Sequence, residues 1–247
     1  LFGIAFRIMI LKKQKKISDE KTHFFINTAH DIRTPLTLIK APLEEFVEEE
    51  TLTEIGSQRI NTALRNVNAL LRLSTNLINF ERADVYSSEL HISEYELNTY
   101  MNEIYNSFCS YANIKHIDFT YKSDFNYLNV WFDKDKMDSI LKNLVSNALK
   151  YTPENGRIQV IQYYDKDKQN IILEFKDNGI GIPKESLNRI FERFYRVDKA
   201  RSRDIGGTGL GLAITKHMVK SLGGNIEVNS ILGVGSDFIV TIPQNTE

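Results

Sequence analysis

Cysteine is nearly missing from this 247-residue chain, with Cys109 the only one. A disulfide framework within one chain is therefore excluded, as is a zinc site built on several cysteines, and the usage fits a reducing compartment. An excess of charge of either sign is missing too. Lys plus Arg number 31 against 32 Asp plus Glu, a net charge of −1, so no global basic surface points to nucleic acid as the main partner. Internal repeats and low-complexity stretches are absent, and 42% hydrophobic against 26% charged residues rules out a disordered or collagen-like chain. The length suffices for one large domain or two small ones.

A membrane-spanning run is also absent. The apolar stretch LFGIAFRIMIL at the start carries Arg7 and is shorter than the about 20 residues a bilayer crossing takes. KKQKK follows it, the reverse of the order in a cleavable signal. Residues 1–16 are thus expected to be the cytoplasmic end of a membrane helix and its basic juxtamembrane stretch, with the lysines inside.

Residues 17–88 read as a helical domain. Phe25, Ala29, Ile32, Leu36, Ile39, Leu43 and Phe46 recur at alternating steps of four and three, the seam of a bundle, with Pro35 predicting a local kink. The stretch from Glu48 to Ser57, with Gly56, breaks the pattern, and a second seam follows at Ile60, Leu64, Val67, Leu71 and Ile78. Two such helices bury little alone, and a homodimer would make them a four-helix bundle. Residues 89–247 change texture. Strand-like runs at 117–121, 128–132, 158–164 and 171–175, a helix over 135–149, a helix over 210–222 stopped by Gly223-Gly224 and a final hairpin predict a two-layer α/β sandwich.

Four local groupings carry chemistry. His30 flanks the first seam and is expected to reach solvent, where an imidazole is a usable nucleophile at neutral pH. A carboxylate beside it, Asp31, can orient the ring and accept its proton, and a hydroxyl one turn on, Thr34, can hold a water in line with a phosphorus bonded to His30. Asn143 and Asn147 lie one helical turn apart, with Lys150 and Tyr151 following; neutral carboxamide oxygens suit Mg²⁺ and the lysine suits phosphate. Asp177 ends a strand in DNGIGIP, where a carboxylate accepts from an exocyclic amine and Gly179 and Gly181 let backbone approach a flat ring. Gly206-Gly207-Thr208-Gly209-Leu210-Gly211 opens a helix whose free N–H groups suit phosphate; the spacing is neither that of a dinucleotide fold nor of a P-loop. Between the glycine clusters, residues 184–205 read as a lid, with Phe191 and Phe194 to fasten it and arginines to reach phosphate.

Taken together, these segments resemble the sensor histidine kinases of bacterial two-component systems. FFINTAHDIRTPLTLIKAPLE resembles the phosphoacceptor segment, ILKNLVSNALKYTP the asparagine box, DNGIGIP and GGTGLGLAITK the two glycine boxes, and IFERFYRVD the phenylalanine box, all in the family's order. The wording HDIRTPLT is similar to that of hybrid sensors. The resemblance implies a dimerisation and phosphotransfer bundle, then an ATP-binding domain of the gyrase-chaperone-histidine kinase type. It implies His30 as phosphoacceptor, Asp31 as its base and Thr34 as the residue that places water for dephosphorylating a regulator. It implies Asn147 as the Mg²⁺ ligand, with Asn143, Lys150 and Tyr151 around ATP. Asp177, Gly179 and Gly181 would form the adenine pocket, Arg196 a γ-phosphate contact, and Gly207, Thr208, Gly209, Leu210 and Gly211 the phosphate cradle. Asn143 stands where related ATP-hydrolysing machines carry a water-activating Glu, which implies transfer rather than hydrolysis. The implied partners are a response regulator receiver domain and a second copy of the chain, on the cytoplasmic side of a bacterial inner membrane.

Overall fold

The structure, a computed structural model, describes residues 32–47, 53–85, 90–197 and 209–244, and the chain divides into two compact units, Leu1–Ser88 and Glu89–Glu247. Among the described residues no helix is long and apolar enough to cross a membrane. The expected membrane-proximal segment lies outside them.

The first unit holds α1 over residues 32–47 and α2, Glu54–Val85. The interruption between them is shorter than the sequence pattern predicts. Thr53 explains this: its Oγ1 accepts from the backbone N of Gly56 at 3.2 Å, the bond of an N-cap to the third helical residue. Gly56 therefore sits in the first turn of α2 rather than breaking a helix, and Glu54 places a negative charge at the positive end of the helix dipole. Along the two seams Leu36 and Val67 are buried, whereas Ile32, Ile39 and Phe46 stand 46%, 50% and 45% exposed in the single chain. Among the described residues the apolar stripe is only partly covered in the single chain.

The second unit is a five-stranded sheet with helices on one face. Its strands are β2 (Asp118–Ser123), β4 (Arg157–Asp165), β5 (Asn170–Asp177), β6 (Asn225–Ile231) and β7 (Gly235–Pro243), in the order β2-β4-β5-β7-β6. β2 is parallel to β4 and every other neighbour is antiparallel. A two-stranded sheet pairs β1 (Ile92–Glu96) with β3 (Asn129–Asp133). The helices are α3 (Leu97–Ile114), α4 (Lys134–Tyr151) and α5 (Gly211–Ser221). Register sets the core: Val160, Phe175 and Phe238 lie side by side across β4, β5 and β7 and point inward, and so do Gln162, Leu173 and Val240 one step along. Against this row α4 packs Met137, Ile140, Leu141, Leu144, Val145, Ala148 and Leu149, all buried. Burial of such side chains contributes about 1.5–3 kcal/mol each, which makes α4 the fixed rail of the unit.

α4 is also held at both ends. Asp133 caps its start, accepting from Lys136 N at 3.1 Å, and Lys115 Nζ donates to the terminal carbonyls of Leu149 and Thr152 at 2.6 and 2.9 Å. The sequence reading has neither β1 nor α3. α3 is rich in Asn98, Asn102, Asn106 and Asn113, poor helix formers, and forms because Leu97, Tyr100, Met101 and Ile104 are buried on one face. Its cap is a glutamate: Glu96 accepts from Asn98 N and Thr99 N at 3.0 and 2.7 Å, and from Leu128 N at 3.3 Å. Burial would raise the pKa of that carboxyl, but the hydrogen bonds outweigh it and hold Glu96 below the usual range.

Candidate functional site

Asp177 closes β5 at the end of the sheet. Its Oδ1 accepts from Gly179 N at 2.8 Å and from Ser236 N at 3.3 Å, the latter on the paired strand β7. Both bonds fall on one oxygen, and Oδ2 receives none from the described residues. Burial pushes the Asp177 carboxyl above its ordinary pKa, against the lowering effect of those two N–H groups. A half-buried carboxylate with one oxygen fixed and one open is an acceptor for an amine that arrives with a flat ring. Ser236 is a contributor that the motif reading lacks. The signal for it is structural, since only the β5–β7 register brings its amide to Asp177.

The turn after Asp177 packs backbone on backbone. Ile180 N donates to Tyr151 O at 3.2 Å, and a Cβ on Gly179 would come within 2.6 Å of that same carbonyl. Gly181 has φ +66, and its Cβ would lie 2.0 Å from Ile231 O. No residue with a side chain fits there without moving the turn away from β6. Ile182 N then donates to Ser230 Oγ at 2.8 Å, tying the turn's exit to β6.

Asn143, Asn147, Lys150 and Tyr151 lie on the last turns of α4, all half-buried. Lys150 Nζ stands 5.0 Å from the centre of the Tyr151 ring. Burial raises the Tyr151 pKa, and the nearby Arg196 guanidinium works against that rise, which puts Arg196 beside the end of α4. Asn143 Nδ2 donates to Thr215 Oγ1 on α5 at 2.6 Å. Among the described residues no cluster of three His, Cys, Asp or Glu could cage a cation. The carboxamide oxygens of Asn147 and Asn143 fit a Mg²⁺ ion that takes its other ligands from phosphate and water, because that ion keeps several waters and needs few protein ligands.

Leu210 is buried and precedes the first turn of α5, and Gly209 has φ +71. A Cβ on Gly209 would meet the Phe194 backbone at 2.8 Å, and Phe194 N donates to Gly209 O at 2.9 Å. The two flanks of the segment between the glycine boxes are thus joined at their base, with Phe194 itself at φ +61 and exposed. Phe191 is half-buried, with Lys216 Nζ 4.9 Å from its ring centre. Arg189 stacks over Tyr195 at 4.3 Å, and Tyr195 OH meets Ser186 Oγ at 2.9 Å.

Eleven of the expected positions therefore gather at one end of the second unit: Asn143, Asn147, Lys150, Tyr151, Asp177, Gly179, Gly181, Arg196, Gly209, Leu210 and Gly211. Gly207 and Thr208 lie outside the described residues, as do His30 and Asp31. Thr34 is described, on an exposed position of α1.

The family descriptions agree with this division of labour. Residues 20–85 match the His Kinase A (phospho-acceptor) domain, and residues 132–246 match the histidine kinase-, DNA gyrase B- and HSP90-like ATPase domain. This chain belongs to the sensor histidine kinase family. The sensor histidine kinase WalK of Bacillus subtilis (strain 168) is 34% identical over 246 residues, covering 99% of this chain and 40% of WalK. The chain thus spans less than half the length of that relative. Among solved structures, full-length ShkA in complex with AMPPNP has a TM-score of 0.76 at 24% identity, over 91% of this chain and 46% of ShkA, a likeness of fold. Histidine kinase ThkA in complex with response regulator protein TrrA has a TM-score of 0.64 at 26% identity, over 95% of this chain and 64% of ThkA.

Proposed function

We propose that this kinase takes the γ-phosphoryl group of ATP onto His30 and passes it to an aspartate of a response regulator receiver domain. The observation that carries the reading is the pocket end of the second unit, where a carboxylate with one open oxygen, two glycine turns, paired asparagines and a helix N-terminus adjoin. Asp177 Oδ2 accepts from the adenine amino group, and the Gly179–Gly181 turn lies under the ring. Lys150, Tyr151 and Arg196 face the sugar and phosphates. The amides of Gly209, Leu210 and Gly211, with Gly207 and Thr208, cradle the phosphates at the positive end of α5. Asn147, with Asn143 beside it, would hold Mg²⁺, which supplies neutralisation of phosphate charge.

An imidazole nitrogen of His30 forms the new bond to the γ-phosphorus, the bond from phosphorus to the β,γ-bridging oxygen breaks, and ADP carries that oxygen away. Asp31 stabilises the charged ring that forms and then takes its proton, leaving a neutral phosphoimidazole. The rate comes mostly from positioning and charge neutralisation. Asn143 offers no carboxylate to activate water, which favours transfer over hydrolysis. The phosphohistidine then loses its phosphoryl group to a regulator's carboxylate, and Thr34 positions water for the reverse task of dephosphorylating that regulator. The open seam of α1 and α2 supports a homodimer, in which two copies complete a four-helix bundle. Residues 1–16 would link the kinase to a membrane helix, with this region on the cytoplasmic face of a bacterial inner membrane.

Calorimetric titration tests the pocket. Asp177→Asn turns an open acceptor into a mixed donor and acceptor, and ATP binding should be lost; unchanged affinity would contradict the assignment. Thr34→Ala should spare labelling of His30 and weaken dephosphorylation of the regulator, whereas equal loss of both would remove its special role.

A further inference from the structure

Thr215 belongs to none of the expected contacts, yet it is completely buried and polar. It lies one turn into α5, and its Oγ1 donates back to Gly211 O at 3.2 Å, the carbonyl four residues earlier. With its single proton committed there, the hydroxyl presents a lone pair to α4. Asn143 Nδ2 fills that position at 2.6 Å. One hydroxyl thereby fixes which way the Asn143 carboxamide points. The amide nitrogen faces the interior of α5, and Oδ1 lies against the first residue of that helix, 2.4 Å from where a Gly211 Cβ would stand. A side chain at 211 would displace the carboxamide, so the glycine there serves the latch by leaving space.

We propose that Thr215 is a positioning residue for binding of Mg²⁺ with phosphate: through Asn143 it locks the carboxamide oxygen toward the phosphate end of the site, where it would face the cation, and pins the first turn of α5 to α4. The inference rests on the ATP reading above and deepens it. Its chemistry is that of orientation. With the lock in place, Oδ1 is a neutral oxygen of fixed direction, suited to the Mg²⁺ that accompanies the phosphates or to a water that ion carries. Without it, the carboxamide turns over, and an N–H faces the cation in place of a lone pair.

Four variants of the full chain test this: Thr215→Val, nearly the same shape without the acceptor, Thr215→Ser, Asn143→Ala, and the Thr215→Val/Asn143→Ala pair. Binding of adenosine and of ATP with Mg²⁺ is measured by calorimetry, alongside thermal melting. Thr215→Val should bind adenosine like the native chain and ATP with Mg²⁺ about tenfold more weakly, the size of one hydrogen bond lost between Oδ1 and a Mg²⁺-bound water. Thr215→Ser should restore native affinity for both, and the valine should add nothing in the Asn143→Ala background. Equal loss for both ligands, no loss, or additive effects would overturn the proposal. Should Thr215→Val fail to fold, Thr215→Ala gives the same comparison. The two readings fail separately. If the native chain binds ATP with Mg²⁺ no better than adenosine, the phosphate site itself is misassigned; if the native preference persists in Thr215→Val, only the latch is.

Discussion

Asp177 illustrates how far one carboxylate depends on its surroundings. Its pKa is raised by burial, and only the ionised form offers Oδ2 as an acceptor. ATP affinity should therefore fall as pH drops through a midpoint above the ordinary aspartate value of about 4, read by titration across that range; a flat profile would show that Oδ2 does not meet the ligand. Asp237, on the opposite face of the sheet from the core, gives the complementary case for stability. Burial, then its hydrogen bond and repulsion with Glu174, push its pKa up to about 6, with Lys176 only partly offsetting them. Between about pH 4 and that value the folded chain holds a proton that the unfolded chain releases, so stability falls as pH rises through this window. Asp237→Asn should remove the cost, flatten that slope and stabilise the fold at pH 7 by about 1 kcal/mol, measurable by urea unfolding at pH 5 and pH 7. A loss of stability at pH 7 would mean that the Lys176 contact outweighs the repulsion.

The turn between β5 and the lid segment is governed by backbone proximity, and substitution there acts on the whole element. Gly181→Ala meets Ile231 O and a left-handed φ together, so the turn must part from β6. It should cost about 2 kcal/mol or more and weaken ATP binding with it, checked by melting and calorimetry on the same sample; native values for both would show that the turn has room to shift. Such elements differ in how legible they are. α4 is plain in the sequence because its apolar face repeats at helical spacing and its polar face carries the paired asparagines. The strands β4, β5 and β7 show as alternating β-branched runs. α3 is hidden by its asparagines and by a glutamate cap and exists because tertiary burial overrides local preference, whereas β1, ISEYE, lacks an apolar alternation and exists because it pairs with β3. The glycine boxes and Asp177 were readable as motifs, whereas Ser236 and Thr215 reach the site through register and helix packing, which no local spacing encodes.

The molecule has a helical unit with exposed apolar seam residues and an α/β unit that gathers Asn143, Asn147, Asp177 and the glycine turns at one end. Ile39 lies half exposed on that seam. Ile39→Glu should shift a dimer to monomer in light scattering while leaving ATP affinity of the second unit intact; a dimer that persists would place the interface elsewhere. The central claim is that the two units together perform phosphoryl transfer to a histidine. The most direct measurement is incubation of the chain with γ-labelled ATP and Mg²⁺ beside its His30→Gln variant, scoring label by acid and alkali stability. Acid-labile, alkali-stable label is expected on the native chain and none on the variant. Label that survives in His30→Gln, or no label on a native chain that binds ATP, would contradict the claim.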